Sequence, residues 1–424
     1  MNAAPLVNAG LYGGLAPGAC AQPGVDNALA SGAPLRVLVV HNRYQQPGGE
    51  DAVVRDEMRL LTEHGLEVQL YERDNRQVAQ VSAAALAAGT VWSRRSAHDI
   101  GALLRGWRPH LIHAHNTFPL VSPSLYYAAA RQGVPVVQTL HNFRLFCAQA
   151  MFMREGQVCE DCMGTLPWRG VLHRCYRGSA LQSAALVGML GVHRALGTWQ
   201  RKVARYIALN RFCRDKFVEA GLPAARVAVK PNFVDLPAPD DGPRAGALFV
   251  GRLSEEKGIS VLASAAAQLA GGEAAVIDVV GDGPQAELLR GAPGVRMLGA
   301  QAPADIYARM RRAAFLVLPS VWYENFPRVL VEAFACGLPV IASRLGALAD
   351  LVEEGVTGLL FEPGDAGDLM RCLQWARAHP DEMRRMGERA RALYELKYTP
   401  RANFSQLLAI YRGVLAQVHP SRHG

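Results

Sequence analysis

Glu324 and Glu332 stand eight positions apart at the head of an apolar run, Glu324-Asn-Phe-Pro-Arg-Val-Leu-Val-Glu332-Ala-Phe-Ala-Cys-Gly337. The run reads as a helix. Pro327 suits a first turn, where its missing N–H would be unpaired anyway, and Gly337 suits the C-cap before a short buried strand, Leu338 to Ala342. Glu324 then lies on the entering loop and Glu332 about two turns inside the helix. The helix start, with Asn325, Phe326 and Pro327 beside it, offers free N–H groups and the positive end of the dipole, so a phosphate can be held there without a metal. A capped helix with a solvated glutamate would explain this segment alone; its surroundings argue for more. Ala247-Leu-Phe-Val250 reads as a strand running into Gly251-Arg252-Leu-Ser-Glu-Glu-Lys257-Gly258. Gly251 lets backbone approach a ligand, and Arg252 and Lys257 bring the charge that suits a bound diphosphate. Ala275 to Val280 reads as another strand, ending in Gly281-Asp-Gly283, where a flat base or ribose can lie against the chain.

The amino-terminal half carries a second set of chemical groups. Arg36-Val-Leu-Val-Val40 is an apolar β-run, followed by a glycine-bearing loop, His41 to Asp51, and an amphipathic helix from Ala52 to His64. Strand, glycine loop and helix open a doubly wound fold, and the lack of a G-x-G-x-x-G fingerprint disfavours a nicotinamide cofactor. Glu50 and Asp51 could orient acceptor hydroxyls, or simply favour the helix dipole. His113 and His115 fall on one face of the strand His110 to Thr117 by alternation. At i and i+2 they could be metal ligands, but no third ligand is evident beside them. His141 and Arg144 follow the strand Val134 to Leu140 and point into the crevice where strand carboxyl ends meet.

These segments together resemble the retaining glycosyltransferases of family 4, which have the GT-B architecture. The carriers are the Glu324…Glu332 pair, Gly251-Arg252…Lys257-Gly258, Gly281-Asp-Gly283, and Pro231-Asn-Phe-Val-Asp235, with Phe233 where the family has glycine. The resemblance spans roughly Leu35 to Tyr398. It implies that Glu324 contacts the donor sugar, Glu332 the ribose hydroxyls, and Arg252 with Lys257 the diphosphate. It places Gly49, in the first glycine loop, near donor and acceptor, and His115 near the transferred sugar, with His113 as the other holder of that role. It implies an α/β fold of two Rossmann-like domains facing each other across a cleft. The expected division is a tail at 1–34, an acceptor domain at 35–210, a connecting segment at 211–243, a donor domain at 244–380, and helices at 381–424 whose last crosses back to the first domain. No Asp-x-Asp occurs, so a metal-clamped diphosphate is unsupported and no cofactor is expected for transfer. The expected reaction moves a sugar, with retention, from a nucleotide-diphosphate sugar to a glycan or lipid-linked acceptor. The resemblance suggests surface polysaccharide assembly at the inner face of the cytoplasmic membrane. A catalytically silent binding protein and a sugar-nucleotide epimerase are the competing readings.

Composition is compatible with this. The chain has 424 residues, half of them hydrophobic, enough for two cores. Its net charge of +8 suits sugar nucleotides, pyrophosphate-lipid acceptors or an anionic membrane surface, and no nucleic-acid motif appears. Residues 1–34 lack any Lys or Arg and read as a disordered tail rather than a secretory signal. Ala184 to Val192 is too short to span a bilayer and reads as a helix of the first domain; its basic, aromatic continuation from Trp199 to Arg205 could lie at an interface. Cys147, Cys159, Cys162 and Cys175 cluster in a loop-like insert, 147–175, as C-x11-C-x2-C-x12-C. Such a set could hold a structural zinc, with His173 able to replace one thiolate, or could remain reduced or redox-labile thiols.

Overall fold

A computed structural model describes residues 34–45, 48–239, 242–269 and 277–418. The expected tail falls, apart from Pro34, outside the described residues. The strands in chain order are β1 (Arg36–Arg43), β2 (Glu67–Asp74), β3 (Leu111–Ala114), β4 (Val136–Thr139), β5 (Met153–Arg154), β6 (Gln157–Val158), β7 (Arg205–Ala208) and β8 (Val227–Val229). They continue as β9 (Ala247–Val250), β10 (Ile277–Val280), β11 (Val295–Gly299), β12 (Phe315–Leu318), β13 (Val340–Ser343) and β14 (Gly358–Phe361).

Two six-stranded sheets result, ordered β2-β1-β3-β4-β7-β8 and β11-β10-β9-β12-β13-β14. Every pairing in them is parallel. Parallel neighbours need crossover connections, and the helices that supply them cover both faces. The central strands are accordingly buried throughout, all four residues of β3, β4, β12 and β13, although β3, β4 and β13 also carry the polar His113, Gln138, Thr139 and Ser343. In each sheet the chain reverses direction beside its first strand, between β1 and β3 and between β9 and β12. Crevices at such points, outside the strand carboxyl ends, are where ligands bind in this kind of sheet.

β8 pairs with β7, and Cys213, Phe217 and Val227 are buried in the first core, so the first domain extends past Asn210 to Val229. The helix Pro380–Lys397 packs on the second domain through Met383, Met386, Ala390 and Tyr394. The next helix, Pro400–Val418, returns to the first sheet, where Leu407, Tyr411 and Val414 are buried among Val37, Val39 and Val54. The described residues contain no helix long and apolar enough to cross a membrane.

The helix at Glu332 runs from Arg328 to Ala335. Pro327 is its N-cap and not its first residue, so Glu332 lies little more than one turn inside. Gly337 (φ +62°) ends it: its N–H bonds to the Phe334 carbonyl at 3.0 Å and that of Leu338 to Ala333 at 2.8 Å. This paired arrangement is the one a left-handed glycine makes at a helix end.

Candidate active site in the interdomain cleft

Three loops at the carboxyl ends of β9, β10 and β12 build the half expected to take the donor. Their backbones touch so closely that glycine is required. A Cβ at Gly258 (φ +69°) would lie 1.8 Å from the Pro319 carbonyl oxygen, and one at Gly281 1.9 Å from that of Gly251. A Cβ at Gly283 would lie 2.3 Å from the Leu253 carbonyl oxygen. Gly281 and Gly283 therefore lock loop against loop, whatever else they face. The loop after β12 carries Glu324, which is 5% exposed. Its Oε1 accepts from Lys257 Nζ at 2.6 Å and from Ser320 Oγ at 2.8 Å. Arg252 is exposed, and its guanidinium has no hydrogen-bond or ion-pair partner among the described residues.

Asn325 comes next. Its carbonyl oxygen accepts from Asn210 Nδ2 at 2.5 Å, a contact that joins the end of β7 in the first domain to the donor loop. Its side chain is buried, yet neither amide atom has a partner. Buried polar atoms are ordinarily satisfied, and an orphaned amide at a helix start is suited to a ligand. Phe326 packs at the edge of the second core beside Tyr398, with ring centroids 6.3 Å apart. Glu332 accepts from Arg328 Nε at 3.0 Å and from Tyr307 O–H at 3.3 Å. Arg328 also reaches Asp56 of the first domain at 2.8 Å, so the start of its helix is clamped across the cleft to the middle of the helix Gly49–Glu63.

The other half, expected to take the acceptor, is denser in titratable groups. The helix Gly49–Glu63 starts at the expected glycine pair, and a side chain at Gly48 or Gly49 would meet nothing within 4 Å. Asp51 Oδ2 accepts from the Gly48 N–H at 2.9 Å, and Asp51 Oδ1 lies 2.8 Å from His41 Nε2. Glu50 Oε2 accepts from Tyr44 O–H at 2.9 Å. Burial, reinforced by the Asp51 charge, pushes the Glu50 carboxyl up to about 8, against the opposing pull of the Tyr44 hydrogen bond and Arg144. Arg144 donates to the Ala148 carbonyl at 3.0 Å and lies over the rings of Phe118 and Tyr176.

His113 and His115 do share a face, with ring centroids 4.3 Å apart. The third group missing from the sequence reading is Glu57, whose Oε1 lies 3.0 Å from His113 Nδ1 and 3.5 Å from His115 Nε2. The three ligand atoms fall within 4.8 Å of one another. A metal does not fit them, because Lys230 Nζ already sits 3.0 Å from Glu57 Oε2, and Tyr411 O–H is 2.7 Å from His113 Nδ1. Burial alone would raise the Glu57 carboxyl, but Lys230 and the two histidines outweigh it and hold the group well below its ordinary value. His115 Nδ1 meets His141 Nε2 at 2.9 Å. Burial lowers both rings, His115 well below the usual histidine range and His141 to about 3, so both are neutral at ordinary pH. Both ring nitrogens of His115 thus face protein groups, while the part-exposed His141 is the ring nearer solvent.

Sequence reasoning missed Glu57, Lys230, Asp56 and Asn210. Glu57 alone left a signal: helical spacing puts it on the apolar face of Val53, Val54, Leu60 and Leu61, where an unpaired carboxylate would be costly.

Comparison with known proteins bears on both halves. Residues 47–237 match a family model described as Glycosyltransferase Family 4, and residues 244–377 match Glycosyl transferases group 1. An alpha-D-kanosaminyltransferase from Streptomyces kanamyceticus is 30% identical over 316 residues, 72% of this chain and 77% of that protein. The chain belongs to glycosyltransferase family 4. A phosphatidyl-myo-inositol mannosyltransferase from Mycobacterium leprae is 31% identical over 58% of this family 4 chain and 68% of the relative. Anabaena HepE, solved in complex with UDP, superposes with a TM-score of 0.64 at 18% identity, covering 89% of this chain and 100% of that one. A sucrose-phosphate synthase from Thermosynechococcus elongatus does so at 0.63 and 20%, covering 90% and 100%. The two facing sheets are therefore those of a GT-B glycosyltransferase.

Proposed function

We propose that this glycosyltransferase uses a nucleotide-diphosphate sugar and transfers its sugar, with retention and without a metal, to a glycan or lipid-linked acceptor. The observation that carries the reading is the cluster at the head of the helix Arg328–Ala335. A buried amide with no partner, Asn325, sits beside the Lys257–Glu324 pair, on the loops that also carry the unpaired Arg252. Two cations and a helix start can neutralise a departing diphosphate. The phosphate would draw Lys257 from Glu324 and leave that carboxylate free for sugar hydroxyls. The bond from C1 to the phosphate oxygen breaks through an oxocarbenium-like state, the acceptor oxygen bonds to C1 on the same face, and the acceptor proton passes to the leaving phosphate. His141, neutral and braced by His115, can hydrogen-bond a sugar hydroxyl without adding charge. Glu50, protonated at neutral pH, can donate to an acceptor oxygen. HepE solved with UDP-glucose shows such a donor in a protein of this fold.

A lipid-linked acceptor, as in surface polysaccharide assembly, is supported by the outer face of the first domain. Trp168, Leu172 and Leu181 are exposed on the insert and on the helix packed against it, among Arg169, Arg174 and Arg177. Apolar side chains ringed by cations suit an anionic membrane surface, here the inner face of the cytoplasmic membrane.

The deciding experiment is calorimetric binding of UDP, GDP and ADP in EDTA, to wild type and to Arg252→Ala/Lys257→Ala. One nucleotide should bind, and the double variant should lose at least about 100-fold in affinity, as loss of two charge-assisted contacts implies. Binding that needs a metal, or survives the double substitution, would overturn the site.

A further inference from the structure

The insert carrying four cysteines plays no part in the chemistry above, and its backbone is unusual. Between Cys147 and Arg177 the regular elements are two two-residue strands, β5 and β6, and a four-residue helix, Arg169–Leu172. Five of the seven non-glycine residues with positive φ in the described chain lie here: Ala150, Phe152, Glu155, Arg174 and Arg177. Left-handed backbone at such residues persists only where the surroundings over-determine it. Burial of Ala150 and Phe152 and their backbone hydrogen bonds supply part of that constraint.

The thiols offer the missing constraint. Cys147 ends the turn that follows β4, Cys159 and Cys162 follow the β5–β6 hairpin, and Cys175 follows the short helix. All four line one small cavity of about 20 Å³, together with Gly170 and His173. None is in a disulfide. Gly170 is needed for the closeness: a Cβ there would lie 2.9 Å from that of Ala148 and 4.0 Å from Cys175 Sγ. The space suits one ion and is too small for an iron–sulfur cluster. His173 is exposed, so four thiols are the better ligand set. No three of the sulfurs lie mutually within 4.8 Å. Zinc bonds of ~2.3 Å place tetrahedral sulfurs ~3.8 Å apart, so binding would draw these turns inward.

We propose that Cys147, Cys159, Cys162 and Cys175 bind one zinc ion in a closed tetrathiolate site that holds the insert in shape. Each thiol releases its proton to solvent on binding. The site is structural in chemistry but not remote from the reaction. The insert reaches the donor domain where Phe152 meets Tyr323, with ring centroids 6.4 Å apart, and where Gly156 abuts Glu255. Tyr323 precedes Glu324, and Glu255 lies on the Lys257 loop, so the ion would brace the rim of the donor site.

The test is metal analysis of full-length protein from zinc-supplemented cells, purified without chelator. Wild type should carry about one zinc per chain, and Cys159→Ser/Cys162→Ser under a tenth of that. Should the variant fail to fold, chelator-stripped wild type titrated with cobalt decides, since tetrahedral thiolate ligation gives an intense charge-transfer band. Four reactive thiols without zinc, thiols paired as disulfides, iron with sulfide, or no cobalt band would each overturn the proposal.

Discussion

On the proposed reading, the two halves of the cleft recognise their ligands by opposite means. The donor half relies on fixed features: Arg252, Lys257, the start of the helix Arg328–Ala335, and glycines that let three loops meet. The acceptor half is a buried titratable network running Lys230–Glu57–His115–His141, flanked by Tyr44–Glu50 and His41–Asp51. A diphosphate carries its charge at any working pH, so permanent cations suffice on one side. An acceptor hydroxyl is neutral and must be oriented by groups whose protonation burial sets. The difference teaches that pH should act on the first domain far more than on the second.

The sharpest break should come from Lys230→Met. It strands the buried Glu57 carboxylate without its cation, and loss of roughly 3–5 kcal/mol in urea unfolding is expected. Lys230→Met/Glu57→Met should recover much of it; an unaffected single variant would mean that Glu57 is not ionised in the folded protein. On the donor side, Lys257→Ala or Glu332→Ala should each lower donor binding or turnover about 10- to 100-fold, with melting temperature little changed. Full activity of Lys257→Ala would defeat the donor assignment.

Glu50→Gln sharpens the comparison through pH. The folded carboxyl titrates at about 8, against about 4.3 when unfolded, so its stabilising contribution is complete below the lower value and lost as pH rises through the upper. Glutamine has no such loss. The variant should therefore gain on wild type between those values by up to about 1.4 kcal/mol per pH unit. Parallel stability curves at pH 5.5 and 7.5 would show that Glu50 is ionised after all. Its acceptor use should also change. The smallest effect belongs to Asp56→Asn. Its pair with Arg328 is partly solvated, so no more than about 1 kcal/mol is expected, read as a change in nucleotide affinity from looser domain closure.

Much of the donor half was legible because its signals are local. A strand followed by glycine and two cations, or a proline and a glycine bracketing an apolar run, span a dozen residues and obey short-range backbone rules. The boundary errors were small: Pro327 caps the helix instead of opening it. The acceptor network was less legible. Glu57 and Lys230 lie 173 positions apart, and Tyr411 reaches His113 across 298. No periodicity encodes such pairings, so two histidines could be placed on one face without revealing the carboxylate that joins them.

Glycine placement and hydrophobic patterning in the sequence alone marked the strand, loop and helix units of a doubly wound fold, since α/β units follow local period and turn chemistry; the two-domain arrangement came from the resemblance to family 4. The same residues marked which cations and carboxylates stand at strand ends. What only the tertiary structure decided is the state of those groups: that Lys257 rests on Glu324, that Asn325 is buried without a partner, that His115 is walled in while His141 faces outward. Those are consequences of burial and of distances between remote segments, and the dielectric around a side chain exists only once the chain has folded around it.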